Sequence, residues 1–507
     1  MSEKVRVRFA PSPTGPLHMG GVRTALYNYL FAKHNGGDFL IRIEDTDQTR
    51  YVPGAEQYIL DSLKWVGLTA DEGPENPGDC GPYRQSERKD FYKKYAQQLI
   101  DSGWGYYAFD TPEELDEVRN RAKEMKMPNW QYNSITRSAM KNSLTLSEDE
   151  VKQRLANGDP YVVRLKAPRN EELRLHDLIR GWVVVNTSNI DDKVLFKGDG
   201  MPTYHLANVV DDHAMRITHV IRGEEWLPSA PTHVLLYRAL GWEDSMPSFA
   251  HLPLILKPDG NGKLSKRDGD RLGFPVFPLE WTDPESGEVS SGYRQKGYFP
   301  EAFINMLAFL GWNPGTEKEL YTIDELIADF TLERVGKAGA KFDADKTKWF
   351  NQQYLRAKSN QELAELVKPY LDKKGYSASQ SFLETFCGLQ KERATFIEEM
   401  VDESFYFEAP KELDSDTVAK KWKPDTAAII EQLKVILLNI ADFNEDHIEM
   451  EFKKFLDSNG YGFGKVMPGF RLLVTGKGMG PSMSAICALI GKDEVISRIE
   501  SGLKKLR

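Results

Sequence analysis

Two stretches, far apart in the chain, carry residues suited to handling phosphate. The first is Phe9-Ala-Pro-Ser-Pro-Thr-Gly-Pro-Leu-His18-Met-Gly20-Gly21-Val-Arg-Thr24. The second is Lys263-Leu264-Ser265-Lys266-Arg267. A histidine and two lysines can stabilise charge that builds on phosphate oxygens. Taken alone, the first stretch reads as a tight turn with a surface histidine and the second as a solvated basic loop. Its spacing matches neither the G-x-G-x-x-G pattern nor the P-loop. Carboxylate chemistry is suggested elsewhere. Glu44, Asp45 and Asp47 cluster after the apolar run from Phe39. Arginine grips carboxylates bidentately, and an acid can receive an ammonium group.

These residues need elements to position them. Val5 to Phe9 alternates apolar and charged residues, a strand signal. Prolines and glycine forbid regular structure through Leu17, and Val22, Leu26, Tyr29 and Leu30 then recur at helical spacing up to Asn35-Gly36-Gly37. A strand, loop and helix in this order aim backbone N–H groups and a positive helix end at one spot, which suits phosphate. Phe39 to Ile43 is a second strand. The acids that follow it are compatible with a metal site, a hydrogen-bonding wall or a solvated turn. Residues 55–67 read as an amphipathic helix, another helix runs to Ile100, and Gly103 to Tyr107 reads as a strand leaving the first half of a sheet.

The texture changes from Phe109 to Asn189. Capping boxes at Thr111–Glu114 and Ser147–Glu150 and short strands at Tyr161–Lys166 and Gly181–Asn186 suggest a small inserted mixed domain. The sheet is expected to resume at Lys193–Lys197. His205, His213 and His219 then lie among acids, as metal ligands or as packing residues. The proline- and glycine-rich stretch from Phe274 reads as a long loop, of a length that is often mobile. From about Gln352 helix follows helix, with Ala427–Ile440 and Ser482–Ile490 as examples.

At 507 residues several domains are expected. The composition, 40% hydrophobic and 28% charged, is that of a globular protein. No apolar run reaches the length of a membrane span, and Met-Ser-Glu-Lys-Val-Arg-Val-Arg lacks the apolar core of a secretory leader. The three cysteines, Cys80, Cys387 and Cys487, fit neither a zinc pattern nor a disulfide framework, so a cytoplasmic location is expected. A net charge of −10 argues against indiscriminate nucleic-acid binding, leaving local patches as the route to any such partner.

His18-x-Gly20-Gly21 followed by Lys263-Leu-Ser-Lys266-Arg resembles the paired signatures of class I aminoacyl-tRNA synthetases. Arg42-Ile-Glu44-Asp-Thr-Asp, Tyr83-Arg-Gln-Ser-Glu-Arg88 and the window Lys197–Tyr237 resemble the glutamyl-tRNA synthetases in particular, as does the end of the chain from Met467. The resemblance implies an α/β plus all-α architecture. A Rossmann-like catalytic domain (1–108 and 191–271) would be split by an acceptor-binding domain (109–190). A connecting domain with a loop insertion (272–351) and two helical anticodon-binding subdomains (352–415 and 416–507) would follow. It implies ATP-dependent joining of L-glutamate to tRNA(Glu) through glutamyl-adenylate, with Mg²⁺ accompanying ATP. No zinc and no other bound metal is expected, since 109–190 has no cysteine.

Carried over residue by residue, the resemblance gives His18, Lys263 and Lys266 the catalytic roles. ATP falls to His18, Gly20, Gly21, Glu225, Lys263 and Lys266. Glutamate falls to Arg8, Ser12, Glu44, Tyr204, Asn208 and Arg222, and Arg393 to the anticodon. A monomer is expected. Four readings compete with it: an adenylyl-transferring enzyme that uses no tRNA, a glutamate-adenylating tRNA-modifying relative without the helical third, a tRNA-binding protein without activity, and a glutaminyl-tRNA synthetase.

Overall fold

The computed structural model describes residues 4–127 and 129–506. The chain divides into two compact units, Met1–Thr347 and Lys348–Arg507.

The first unit is organised by a six-stranded sheet. It begins with β1 (Arg6–Phe9), α1 (Met19–His34) and β2 (Asp38–Ile41). β1 and β2 are parallel, with Arg6 opposite Asp38 and Phe9 opposite Ile41. Four more strands, β3 (Glu172–Asp177), β4 (Gly181–Asn186), β5 (His219–Gly223) and β6 (Ser248–Leu252), complete the order β2-β1-β5-β6-β3-β4. Neighbours are parallel except in the β3–β4 hairpin. The central strands are buried, including Val7, Phe39, Leu40, Val220, Ile221 and Phe249, as expected where helices cover a parallel sheet. Phe9, Glu44, Arg222 and Leu252 all lie at or just beyond carboxyl ends of parallel strands, where ligands of open α/β sheets bind.

Strand pairing differs from the sequence reading in two places. The β3–β4 hairpin, placed by that reading in the inserted segment 109–190, extends the main sheet through β6. Conversely, Gly105–Ala108 and Val194–Phe196 leave the main sheet and flank Val162–Leu165 in an antiparallel three-stranded sheet. An alternating pattern identifies a strand but not its partner. Here Leu165, Leu195 and Phe196 are drawn to Tyr92 and Leu99 in one apolar cluster.

The stretch from Phe274 is pinned rather than loose. Its middle forms a two-stranded ribbon, Trp281–Thr282 with Val289–Ser290. The Tyr58 hydroxyl donates to the Leu279 carbonyl (2.6 Å) and accepts from the Leu279 N–H (3.1 Å). Phe277, Leu279 and Tyr293 are buried.

In the second unit the described residues form helices and turns. They include Asn360–Lys374, Gln380–Gln390, Thr426–Leu438, Glu445–Asn459, Phe463–Thr475, Met483–Ile490 and Lys492–Leu506. Ser359 and Glu362 close a reciprocal capping box at the first of these, satisfying two orphan N–H donors. Among the described residues no helix is long and apolar enough to cross a membrane.

Candidate active site

A cavity of about 1070 Å³ opens at the carboxyl ends of the parallel strands of the first unit. Arg8, Ser12, His18, Gly20, Gly21, Glu44, Tyr204, Asn208, Arg222, Glu225 and Lys263 all line it. The two distant sequence stretches therefore meet around one space. Lys266 opens the helix Lys266–Leu272, directly after the cavity-lining Ser265, but its side chain lies outside the described residues. Arg393 belongs to the second unit, where it is exposed and its Nη2 donates to the Gly480 carbonyl (3.1 Å).

At one end of the cavity, His18 is the N-cap of α1, with extended backbone and its Nδ1 accepting the Gly20 N–H at 3.0 Å. An accepting Nδ1 leaves the neutral ring's proton on Nε2. The amides of the first turn are already used. Met19 N–H donates to the Val276 carbonyl (2.8 Å), and Gly21 N–H to His18 O (2.9 Å). The expectation of free backbone N–H groups facing phosphate is thus corrected: the helix start is capped from within, and the imidazole is the feature it presents.

The glycines also serve a nearer neighbour than a nucleotide. A Cβ on Gly20 would meet His18 Cε1 at 2.8 Å, and one on Gly21 would meet Leu17 Cδ1 at 2.4 Å. Across the space, Lys263 Nζ lies 2.9 Å from Glu225 Oε1. Burial works to raise the Glu225 pKa, but the Lys263 ammonium outweighs it and holds it below the usual range. The lysine segment is tethered where Leu264 N–H donates to the Ile255 carbonyl (2.8 Å).

The other end is a buried charge network. Arg8 bonds Asp212 through Nε to Oδ1 (2.9 Å) and Nη2 to Oδ2 (3.2 Å). Arg42, fully buried, donates through Nη1 to Asp212 Oδ1 (2.7 Å) and through Nη2 to Glu44 Oε1 (2.8 Å). Asn208 Nδ2 adds a third bond, to Glu44 Oε1 (3.1 Å). Burial works to raise the Asp212 pKa, but the two guanidinium groups hold it below its ordinary value. Arg8, Arg42, Glu44 and Asp212 thereby balance in charge. Since the Nε hydrogen and one Nη2 hydrogen of Arg8 are committed, a ligand contact from Arg8 has to come end-on, through Nη1 or the second Nη2 hydrogen.

Arg222 is different. It is 5% exposed, yet among the described residues no carboxylate lies within ion-pair distance. Its partners are neutral: the Tyr204 hydroxyl (2.8 Å), the Trp226 carbonyl (3.3 Å) and His251 Nε2 (3.0 Å). A buried cation without a counter-ion is costly, and an anionic ligand would balance it. Burial pushes the Tyr204 phenol up to about 12. Its oxygen accepts from Arg222, so its proton is free to be directed elsewhere.

The open alternatives for the acids and histidines also narrow. Glu44, Asp45 and Asp47 all line the cavity; Asp45 Oδ1 accepts the distant Ser86 N–H (2.8 Å), Asp47 Oδ1 accepts the Thr49 hydroxyl in a local turn (2.7 Å), and Glu44 is held by Arg42 and Asn208. Among the described residues no three His, Cys, Asp or Glu side chains converge as metal ligands. His213 stacks on Trp242 and His219 packs on Phe31. Asp211 accepts from Gln85, Arg88 and Tyr92, which accounts for the Tyr83–Arg88 stretch as a clamp on the helix α2 (Tyr204–Ala214).

Arg42, Asp212, Asp177 and His251 had no assigned role in the sequence reading. The available signal was charge inside apolar runs, Leu40-Ile41-Arg42-Ile43 and Val209-Val210-Asp211-Asp212, where a charged residue must find a buried partner.

Comparison with known proteins identifies the family. Residues 4–349 match the family model described as tRNA synthetases class I (E and Q), catalytic domain, and residues 362–503 match an anticodon binding domain. The chain is 57% identical to the glutamate–tRNA ligase of Phocaeicola vulgatus, covering all of both sequences. It is 56% identical to that of Bacteroides fragilis, covering 99% of each. A crystal structure of a glutamate tRNA ligase from Elizabethkingia meningosepticum in complex with its amino acid superposes with a TM-score of 0.96 at 52% identity, covering both chains fully. A cavity that joins a histidine-capped helix to a lysine loop, matched at this level along the whole length, shows that the chain belongs to the class I tRNA synthetases, within the glutamate–tRNA ligase family.

Proposed function

We propose that this chain joins L-glutamate to tRNA(Glu) in two steps. The glutamate α-carboxylate attacks the α-phosphorus of ATP, pyrophosphate leaves, and glutamyl-adenylate remains. The terminal ribose hydroxyl of tRNA then takes the glutamyl group and AMP departs. Neither step needs a protein nucleophile; both need alignment and charge neutralisation. His18 Nε2–H donates to phosphate oxygens as charge builds. Lys263 and Lys266 close on the leaving pyrophosphate, and Glu225, now paired with Lys263, lies in the nucleotide end of the cavity. Mg²⁺ would accompany ATP as its counter-ion and neutralise charge on the phosphate oxygens.

The observation that carries the reading is the buried Arg222, which has no carboxylate partner among the described residues and faces the same cavity as Glu44. Glutamate supplies what is missing: a carboxylate for Arg222, and an ammonium for Glu44, whose Oε1 is already fixed by Arg42 and Asn208. Ser12 and Tyr204 add polar contacts, and Arg8 contributes through its remaining Nη hydrogens. With Arg222 taking the side-chain carboxylate, glutamine, which keeps only its α-carboxylate, would leave that cation uncompensated, which disfavours the glutaminyl alternative. In the sequence-derived division, 109–190 holds the acceptor end, and 352–415 and 416–507 read the anticodon, with Arg393 as a base contact. The enzyme is taken to act as a cytoplasmic monomer. Aminoacylation of tRNA(Glu) with radiolabelled glutamate and glutamine tests the reading: charging with glutamate alone is expected, and equal charging with glutamine would overturn it.

A further inference from the structure

Three strands that lie side by side in the sheet carry one connected row of polar side chains. Arg222 on β5 is directly opposite His251 on β6, and Asp177 ends β3, which pairs with β6 on its other side. Asp177 and His251 are fully buried. Asp177 Oδ2 lies 2.6 Å from His251 Nδ1, and Arg222 Nε lies 3.0 Å from His251 Nε2. A guanidinium N–H can only donate. Nε2 therefore accepts, the ring proton sits on Nδ1, and Nδ1–H donates to the carboxylate. Burial lowers the His251 pKa; the Asp177 hydrogen bond only partly opposes this, and the Arg222 charge adds to the lowering, in keeping with a neutral ring.

We infer that Asp177 and His251 are positioning residues that aim Arg222 at the substrate carboxylate. This rests on the assignment of Arg222 to glutamate given above. The Nε edge of the guanidinium is closed by His251. Of the Nη hydrogens, one is directed at the Tyr204 hydroxyl and one at the Trp226 carbonyl. A carboxylate is thus left the end-on approach to Nη1 and Nη2. The logic is that of a histidine whose tautomer and orientation are fixed by a carboxylate behind it. Asp177 is anchored independently, since its Oδ1 accepts the N–H groups of Ile179 (3.0 Å) and Arg180 (2.8 Å).

Asp177→Asn separates positioning from folding. Asn keeps an oxygen for the Ile179 and Arg180 amides but turns an NH₂ toward His251. The ring proton then moves to Nε2 and opposes the Arg222 Nε–H. Aminoacylation kinetics on the full chain are expected to show a KM for glutamate raised about tenfold or more, with the KM for ATP and the melting temperature little changed. His251→Leu should behave alike, and His251→Gln, which offers Arg222 an amide oxygen, should recover much of the loss. Unchanged glutamate KM in Asp177→Asn and His251→Leu, while Arg222→Ala raises it, would overturn the positioning role alone. So would glutamate and ATP KM values rising together with a fall in melting temperature. If Arg222→Ala itself leaves the glutamate KM unchanged, the assignment of Arg222 fails and the positioning role with it.

Discussion

Replacing Arg42 with methionine tests the electrostatic account of the pocket floor. Methionine fills similar space without charge or donors. Arg42 is fully buried and bridges Asp212 (2.7 Å) and Glu44 (2.8 Å). With charge centres about 4 Å apart and an effective dielectric constant of about 20, each attraction is on the order of 4 kcal/mol. The desolvation of the guanidinium cancels much of this sum. Removing one member of a buried set nevertheless leaves an uncompensated charge, at a cost of about 3–5 kcal/mol. Asp212 would keep the two bonds from Arg8, whereas Glu44 would keep only Asn208.

Asp212→Asn alone removes a negative charge and leaves the opposite imbalance. The double variant Arg42→Met/Asp212→Asn restores neutrality with Arg8 and Glu44 remaining. It is therefore expected to be more stable than the sum of the single effects by about 2 kcal/mol, because contacting charges couple. Hydrogen–deuterium exchange gives the opening free energies of peptides covering Asp38–Glu44 and Tyr204–Ala214. Peptides from Lys348–Arg507, which carries none of these charges, serve as the internal reference. A cost below about 1 kcal/mol for Arg42→Met, with additive effects in the double variant, would refute the charge-balance reasoning.

Other perturbations bear on other parts of the site. Gly20→Ala should push the His18 ring from its cap, given the 2.8 Å approach to Cε1, and lower the single-turnover rate of adenylate formation about tenfold to a hundredfold with little change in glutamate KM. Lys263→Ala should lower the same rate about a hundredfold yet leave thermal stability nearly unchanged, because its ion pair with Glu225 is about half exposed to solvent and screened by it. A normal rate in either variant would remove that residue from the nucleotide end. Burial lowers the His205 pKa from 6.5 to about 4, so the unfolded chain binds more protons between those values and stability falls as pH drops from about 6.5 toward 4. Urea unfolding of His205→Asn across that window should show a shallower fall, and an identical slope would mean that His205 does not titrate on unfolding.

Much of the site could be read from the sequence because its residues carry types and spacings that few other roles would need. Thr111–Glu114 became the reciprocal capping box its spacing announces, and at Ser147–Glu150 the serine side chain caps the Glu150 N–H alone, since a cap is decided by four consecutive residues. His18, Glu44 and Lys263 stand at turns that proline, glycine and charge mark locally. What was not legible is long-range. The partner of a strand is chosen by packing between residues far apart in sequence, which is why Gly181–Asn186 joins the main sheet and Val194–Phe196 leaves it. The same distance hid the partners of Arg8 and Arg42. Arg8 and Asp212 are separated by 204 positions, and nothing local shows that Asp212 turns inward to meet both guanidinium groups. Local reading also overstated the helix start as an anion site, because the Val276 carbonyl that takes the Met19 N–H arrives from the stretch that looked like a loose loop.

The central claim is that the nucleotide and glutamate ends belong to one continuous site, so a single ligand spanning both should gain from both. Isothermal titration with a non-reactive glutamyl-adenylate analogue, compared with AMP and with glutamate, tests this directly. The account predicts a Kd for the analogue about a hundredfold or more below that of either fragment, with the gain lost in both His18→Ala and Arg222→Ala. An analogue that binds no more tightly than AMP, and is indifferent to Arg222→Ala, would contradict it.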